Sequence, residues 1–211
     1  MSSSKIRHSL LTTSFSLLAA VAVTSAESTT LTDFDSKKGK SLDWRVVDDG
    51  VMGGLSRGKL SISDAGILTF NGDLSLKNNG GFSSIRTGGI ELDLSDYDGL
   101  VAKVKGDGRS YQMRLGTDAR FRAMEVSFMA EFPTTQGKWT EVRIPFSDFT
   151  GSFRGMKLKN QLLDPSKVRR LGLLLADKKA GSFELRVDWI RAYSEESSSD
   201  IIVDKAPAAG R

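Results

Sequence analysis

From Leu60 onward, apolar and polar residues alternate with a period of two over short stretches separated by turns, a pattern that predicts strands rather than amphipathic helices. Tyr111, Met113 and Leu115 alternate with Ser110, Gln112 and Arg114. Met124, Val126, Phe128, Ala130 and Phe132 form a second series. Val142 and Ile144 share a face, and Phe183, Leu185, Val187 and Trp189 alternate with Glu184, Arg186 and Asp188. Each series sets one face into a core and the other into water. Leu171 to Ala176 is almost continuously apolar, as expected of a central strand covered on both sides, while Gly66 to Gly72 and Ser83 to Thr87 supply earlier strands. Pro145 lacks a backbone donor, so Pro145 to Phe149 should leave the ladder in a turn or short helix. Two packed antiparallel sheets bury all these faces without long helices, so the expected class is all-β, a jelly-roll beta sandwich.

The two ends of the chain read differently. Lys5 and Arg7 precede an apolar run from Phe15 to Val23 and then Thr24-Ser25-Ala26, which reads as a signal peptide over residues 1–26, removed after Ala26. The run is too short for a bilayer-spanning helix and no later stretch replaces it. Export to the periplasm or the extracellular space is therefore expected. The lack of acidic residues before Glu27 leaves a mitochondrial transit peptide as the alternative. Residues 27–193 then form one sandwich domain, and residues 194–211, opening with Ser194-Glu195-Glu196 and closing with Pro207-Ala208-Ala209-Gly210-Arg211, form a flexible tail.

Charge and composition exclude several functions. The full chain carries a formal net charge of +4; removing Lys5 and Arg7 leaves 28 basic against 26 acidic side chains, or +2. So mild an excess gives no basis for a nucleic-acid partner, although Arg114, Arg120, Arg122, Lys157 and Lys159 have the makings of a local positive surface. There is no Cys, and the single His, His8, lies in the leader. Transition-metal clusters and Cys/His nucleophiles are thus absent from the mature chain. Ser56 and Lys59 lack an accompanying base and oxyanion site. Gly50, Gly53 and Gly54 match neither a dinucleotide fingerprint nor a phosphate loop. No enzymatic activity and no cofactor are expected. Asp93, Asp96 and Asp98, near Tyr97, offer oxygen ligands for calcium without a calcium-loop spacing, so the metal question stays open.

Two polar, glycine-rich segments, Asp48 to Ser56 and Asn78 to Phe82, point to a shaped loop surface, because Gly takes positive φ and Asn and Asp bond to their own turns. Asp48 and Asp49 either build that turn or face one ligand. Asp48, Asp49, Met52, Asn78 and Asn79 are the loop's binding candidates. Arg86 joins them as a planar donor fork after the Asn/Gly turn, with pairing to Asp48 or Asp49 as its structural alternative. A carbohydrate-binding reading needs an aromatic platform, for which Trp44, Tyr97, Tyr111 and Trp139 are available; Trp139 faces away from Val142 and Ile144 and is the exposed candidate.

Trp44-Arg45-Val46-Val47-Asp48-Asp49-Gly50-Val51-Met52-Gly53-Gly54-Leu55-Ser56 resembles the opening signature of the complex I intermediate-associated protein family. The similarity continues through Phe70-Asn71-Gly72-Asp73-Leu74-Ser75, Asn78 to Arg86, Trp139-Thr140-Glu141-Val142-Arg143-Ile144-Pro145-Phe146, Leu171 to Asp177 and Gly181 to Leu185, spanning roughly Leu31 to Tyr193. The resemblance implies a galactose-binding-like jelly-roll domain. It also implies a non-enzymatic role in assembling respiratory NADH:ubiquinone oxidoreductase by binding a protein partner. An exported carbohydrate-binding module is the alternative.

Overall fold

Alternation along the chain becomes two facing apolar layers. The computed structural model describes residues 28–35 and 42–195. Among them, strands β1 (Ser28–Thr32), β3 (Arg57–Ile62), β4 (Leu68–Leu74), β6 (Gly99–Lys105), β9 (Trp139–Pro145) and β13 (Gly181–Tyr193) make one sheet, in the order β3-β4-β13-β6-β9 with β1 also paired to β13. The other sheet has the order β11-β10-β8-β7-β12-β5-β2. Its strands are β2 (Trp44–Asp48), β5 (Ser83–Thr87), β7 (Ser110–Phe121), β8 (Met124–Pro133), β10 (Thr150–Phe153), β11 (Met156–Leu158) and β12 (Arg170–Leu175). All ladder pairings within both sheets are antiparallel. This is the expected all-β, two-sheet sandwich.

The core lies between the sheets. Leu68, Phe70, Leu100, Ala102, Val104, Leu185, Val187 and Ile190 come from one side. Ile85, Tyr111, Met113, Leu115, Phe128, Leu171 and Leu173 come from the other, and all are essentially inaccessible to water. Phe70 meets Phe183 edge-on at 4.9 Å between ring centroids, a favoured aromatic geometry. The expected turn after Pro145 is a single 3₁₀ turn over Phe146–Asp148.

Trp189 departs from its expected face. The pairing of β13 with β6 slips between Val187 and Trp189, so that Val187 opposes Val104 and Trp189 opposes Lys103. One extra residue in β13 shifts the phase, and Ile190 and Ala192 take the core positions instead. Trp189 is left half-buried beneath the Arg191 guanidinium, 4.1 Å from its ring centroid. The proposed leader lies outside the described residues, as do residues 196–211 of the proposed tail.

Candidate functional site

Strand β2 runs directly into a 3₁₀ turn, Asp49–Met52, closed by Gly53 at φ 88°. Asp49 is fully buried and its carboxylate gathers donors from both glycine-rich segments. Oδ1 accepts the Ser56 N–H at 3.0 Å. Oδ2 accepts the Ser56 hydroxyl at 2.6 Å, the Gly81 N–H at 2.7 Å and the Phe82 N–H at 3.3 Å. Burial works against the charge, but the Ser56 hydroxyl and the backbone N–H groups of Gly81, Ser56 and Phe82 hold the carboxyl below its ordinary range. The glycines follow from this packing. A Cβ on Gly54 would stand 2.3 Å from the Asp49 Cγ, and one on Gly80 would stand 2.6 Å from Oδ2.

Asp48 is likewise used internally, accepting the Gly58 N–H at 2.9 Å and the Ser83 hydroxyl at 2.6 Å. Asp48 and Asp49 are therefore the joints of the loop surface, and neither pairs with Arg86. Ser56 is buried, donates to Asp49 and accepts the Ser75 N–H at 3.0 Å, so its hydroxyl is part of the same frame. The Asn78 side-chain amide reaches the Gly53 carbonyl at 3.4 Å, and both Asn78 and Asn79 hold left-handed backbone with φ near 55°. On this braced frame Met52, Leu55 and Leu76 stand exposed, at 61%, 45% and 45%.

Arg86 projects from the outer face of the seven-stranded sheet, since its neighbours Ile85 and Thr87 are buried inward. Along one register row, β5 Arg86 opposes Arg45 on β2 and Gly172 on β12, and Gly172 opposes Arg114 on β7. Arg170 lies two residues before Gly172, opposite Gly116. Burial, then the neighbouring Arg170 and Arg45 charges, push the Arg86 guanidinium down, with Glu125 opposing. Burial pushes Arg114 down to about 10, so it stays charged at neutral pH. Arg114 was visible in the sequence only as part of a positive surface, and its row with Gly172 depends on strand pairing that periodicity does not fix. Arg120 lies on β7 and Arg122 just beyond it; Lys157 is on β11, with Lys159 following.

Of the aromatic candidates, Trp44 and Tyr111 are buried, Tyr97 is half-buried, and Trp139 is exposed at 40% on the other sheet, with the Lys103 ammonium 5.8 Å from its ring centroid. Asp93 accepts the hydroxyl and N–H of Ser95 in a tight turn, and Asp98 accepts the Glu195 N–H. Among the described residues, no group of three or more His, Cys, Asp or Glu is placed to hold a metal ion, and no helix is long and apolar enough to cross a membrane.

Residues 32–187 match the family model for complex I intermediate-associated protein 30. The chain is 32% identical over 179 residues to the mitochondrial complex I intermediate-associated protein 30 of Drosophila melanogaster, covering 74% of this chain and 60% of that protein. Its similarity to the mouse protein of the same name, also mitochondrial, is 31% over 116 residues, covering 53% of this chain and 35% of the relative. The chain spans about half the length of the curated relatives it matches. Among solved structures, a family 11 carbohydrate-binding module from Clostridium thermocellum superposes with a TM-score of 0.61 at 15% identity, over 83% of this chain and 99% of that one. The shared fold is a two-sheet jelly-roll sandwich. The expectation of export is overturned, since the family relatives are mitochondrial proteins.

Proposed function

The chain belongs to the complex I intermediate-associated protein 30 family, and on that premise we propose that it is a non-enzymatic domain that binds a protein partner during assembly of respiratory complex I in mitochondria. The observation that carries this reading is the loop surface itself. Asp48 and Asp49 are consumed in bracing the two segments, and the braced frame presents Met52, Leu55 and Leu76 to solvent together with Asn78 and Asn79. Exposed apolar groups rimmed by polar ones are what a protein interface uses. A fixed frame also lowers the ordering cost of binding. Among the described residues no metal-holding cluster of His, Cys, Asp or Glu competes for this surface. The segment before β1 serves in this reading as a presequence for mitochondrial import.

Affinity capture of the tagged chain from mitochondria tests the reading. Wild-type protein should recover complex I subunits in substoichiometric assembly intermediates, and Met52→Asp with Leu55→Asp should lose them at unchanged fold. Recovery of polysaccharide without any complex I subunit would instead support a carbohydrate-binding module.

A further inference from the structure

The outer face of the seven-stranded sheet carries a second surface of different chemistry. Its floor is glycine: a Cβ on Gly172 would meet the Arg114 and Arg86 Cβ atoms at 3.4 Å and the Ile85 carbonyl at 3.0 Å, and one on Gly116 would meet Glu125 Oε1 at 2.5 Å. Its walls are guanidinium groups. Arg114 donates to neutral groups alone: Ser127 Oγ at 2.9 Å, Gln112 Oε1 at 3.0 Å, Ser152 Oγ at 3.4 Å and Met129 Sδ at 3.7 Å. Arg86 has no hydrogen bond or ion pair among the described residues, and its Nε is buried without a partner, as is that of Arg170. Among the described residues, Glu125 pairs with Arg170 at 2.5 Å. Buried guanidinium nitrogens left unpaired are costly, so their presence on this sheet face marks a place for an acceptor that the described residues do not supply.

We propose that this arginine trough, formed by Arg45, Arg86, Arg114 and Arg170 around Gly172, binds the carboxylates of an acidic, extended polypeptide segment lying across the strands. The row from β2 to β7 crosses four strands, about 14 Å at ordinary strand spacing, which is too broad for one small anion and suits successive side chains of a peptide. No aromatic side chain stands in the register row that would offer a sugar a stacking surface. The planar forks take carboxylates in pairs of hydrogen bonds. This rests on the chain being a protein-binding domain and adds the chemistry of a second contact beside the Met52 loop.

The test uses the full chain and a fluorescein-labelled peptide of alternating Glu and Ser long enough to cross four strands, read by anisotropy. A Gln/Ser peptide of equal length is the neutral control. Arg86→Gln and Arg45→Gln, neither of which removes a partner used by the fold, should each weaken the Glu/Ser peptide by about tenfold and leave thermal midpoints unchanged. Lys59→Ala, on the opposite sheet, should leave binding as it is. Rising salt should release the peptide. Equal affinity of wild type and Arg86→Gln, equal binding of the Gln/Ser peptide, or equally tight binding of an oligonucleotide or inorganic phosphate would overturn the proposal. Complex I subunits captured equally by wild type and Arg86→Gln, but lost by Met52→Asp, would remove the trough while leaving the assembly reading intact.

Discussion

The Oδ2 of Asp49 accepts the backbone N–H of Gly81 at 2.7 Å, joining two loops separated by 32 positions in sequence. With the Ser56 and Phe82 donors, that carboxylate holds the whole loop frame. Asp49→Asn places an amide donor against backbone N–H groups that need an acceptor. It should lower stability by about 2 to 3 kcal/mol at neutral pH, measured by urea unfolding. A loss below about 0.5 kcal/mol would show that the frame does not depend on the carboxylate.

The same carboxyl sets a pH dependence. Its folded-state value lies below the ordinary Asp value of about 3.9, so its contribution is fully present above that unfolded value and is lost as pH falls through the folded one. The stability gap between wild type and Asp49→Asn should therefore be constant from neutral pH to about 5 and shrink below about 4. A gap that widens in acid would contradict the assignment.

Arg109 forms a comparable clamp that shares none of the Asp49 contacts. It holds Asp177 through Nε at 2.9 Å and Nη2 at 2.6 Å, and bonds the carbonyls of Lys179 and Ser182. The pair is largely buried. Arg109→Gln should cost about 3 kcal/mol through the unpaired Asp177, read as a lowered thermal midpoint, with no specific loss of partner capture beyond that expected from unfolding.

Trp139 provides a contrasting case. It is exposed and contacts Lys103 through its ring, so Trp139→Ala should change stability by less than about 1 kcal/mol and leave capture of complex I subunits unchanged. Loss of subunit capture in that variant, on equally folded protein, would move the interface to the six-stranded sheet.

Much of the fold was legible because strands β7, β8, β9 and β13 bury one face each, and burial of one face is what enforces period two. Strand β6 was not, since Leu100, Val101 and Ala102 run together without alternation; nor was edge strand β2, whose residues after Trp44 are half-buried or exposed. The bulge beside Trp189 inserts one residue, which no alternating template anticipates. The loop motif announced itself through its glycines, but that Asp49 would be the atom the glycines make room for depends on contacts 32 positions away. Arg86 stood out as a lone charge ending a strand; Gly172 and Arg114 became its neighbours only through register.

The central claim is that the Met52 loop surface engages an assembly partner of complex I. Native gel analysis of mitochondria lacking this chain, complemented with wild type or with Met52→Asp and Leu55→Asp together, tests it most directly. Wild type should restore the full complex, and the variant, present at equal level, should leave stalled assembly intermediates. Normal complex I in mitochondria lacking the chain, or full restoration by the variant, would contradict the account.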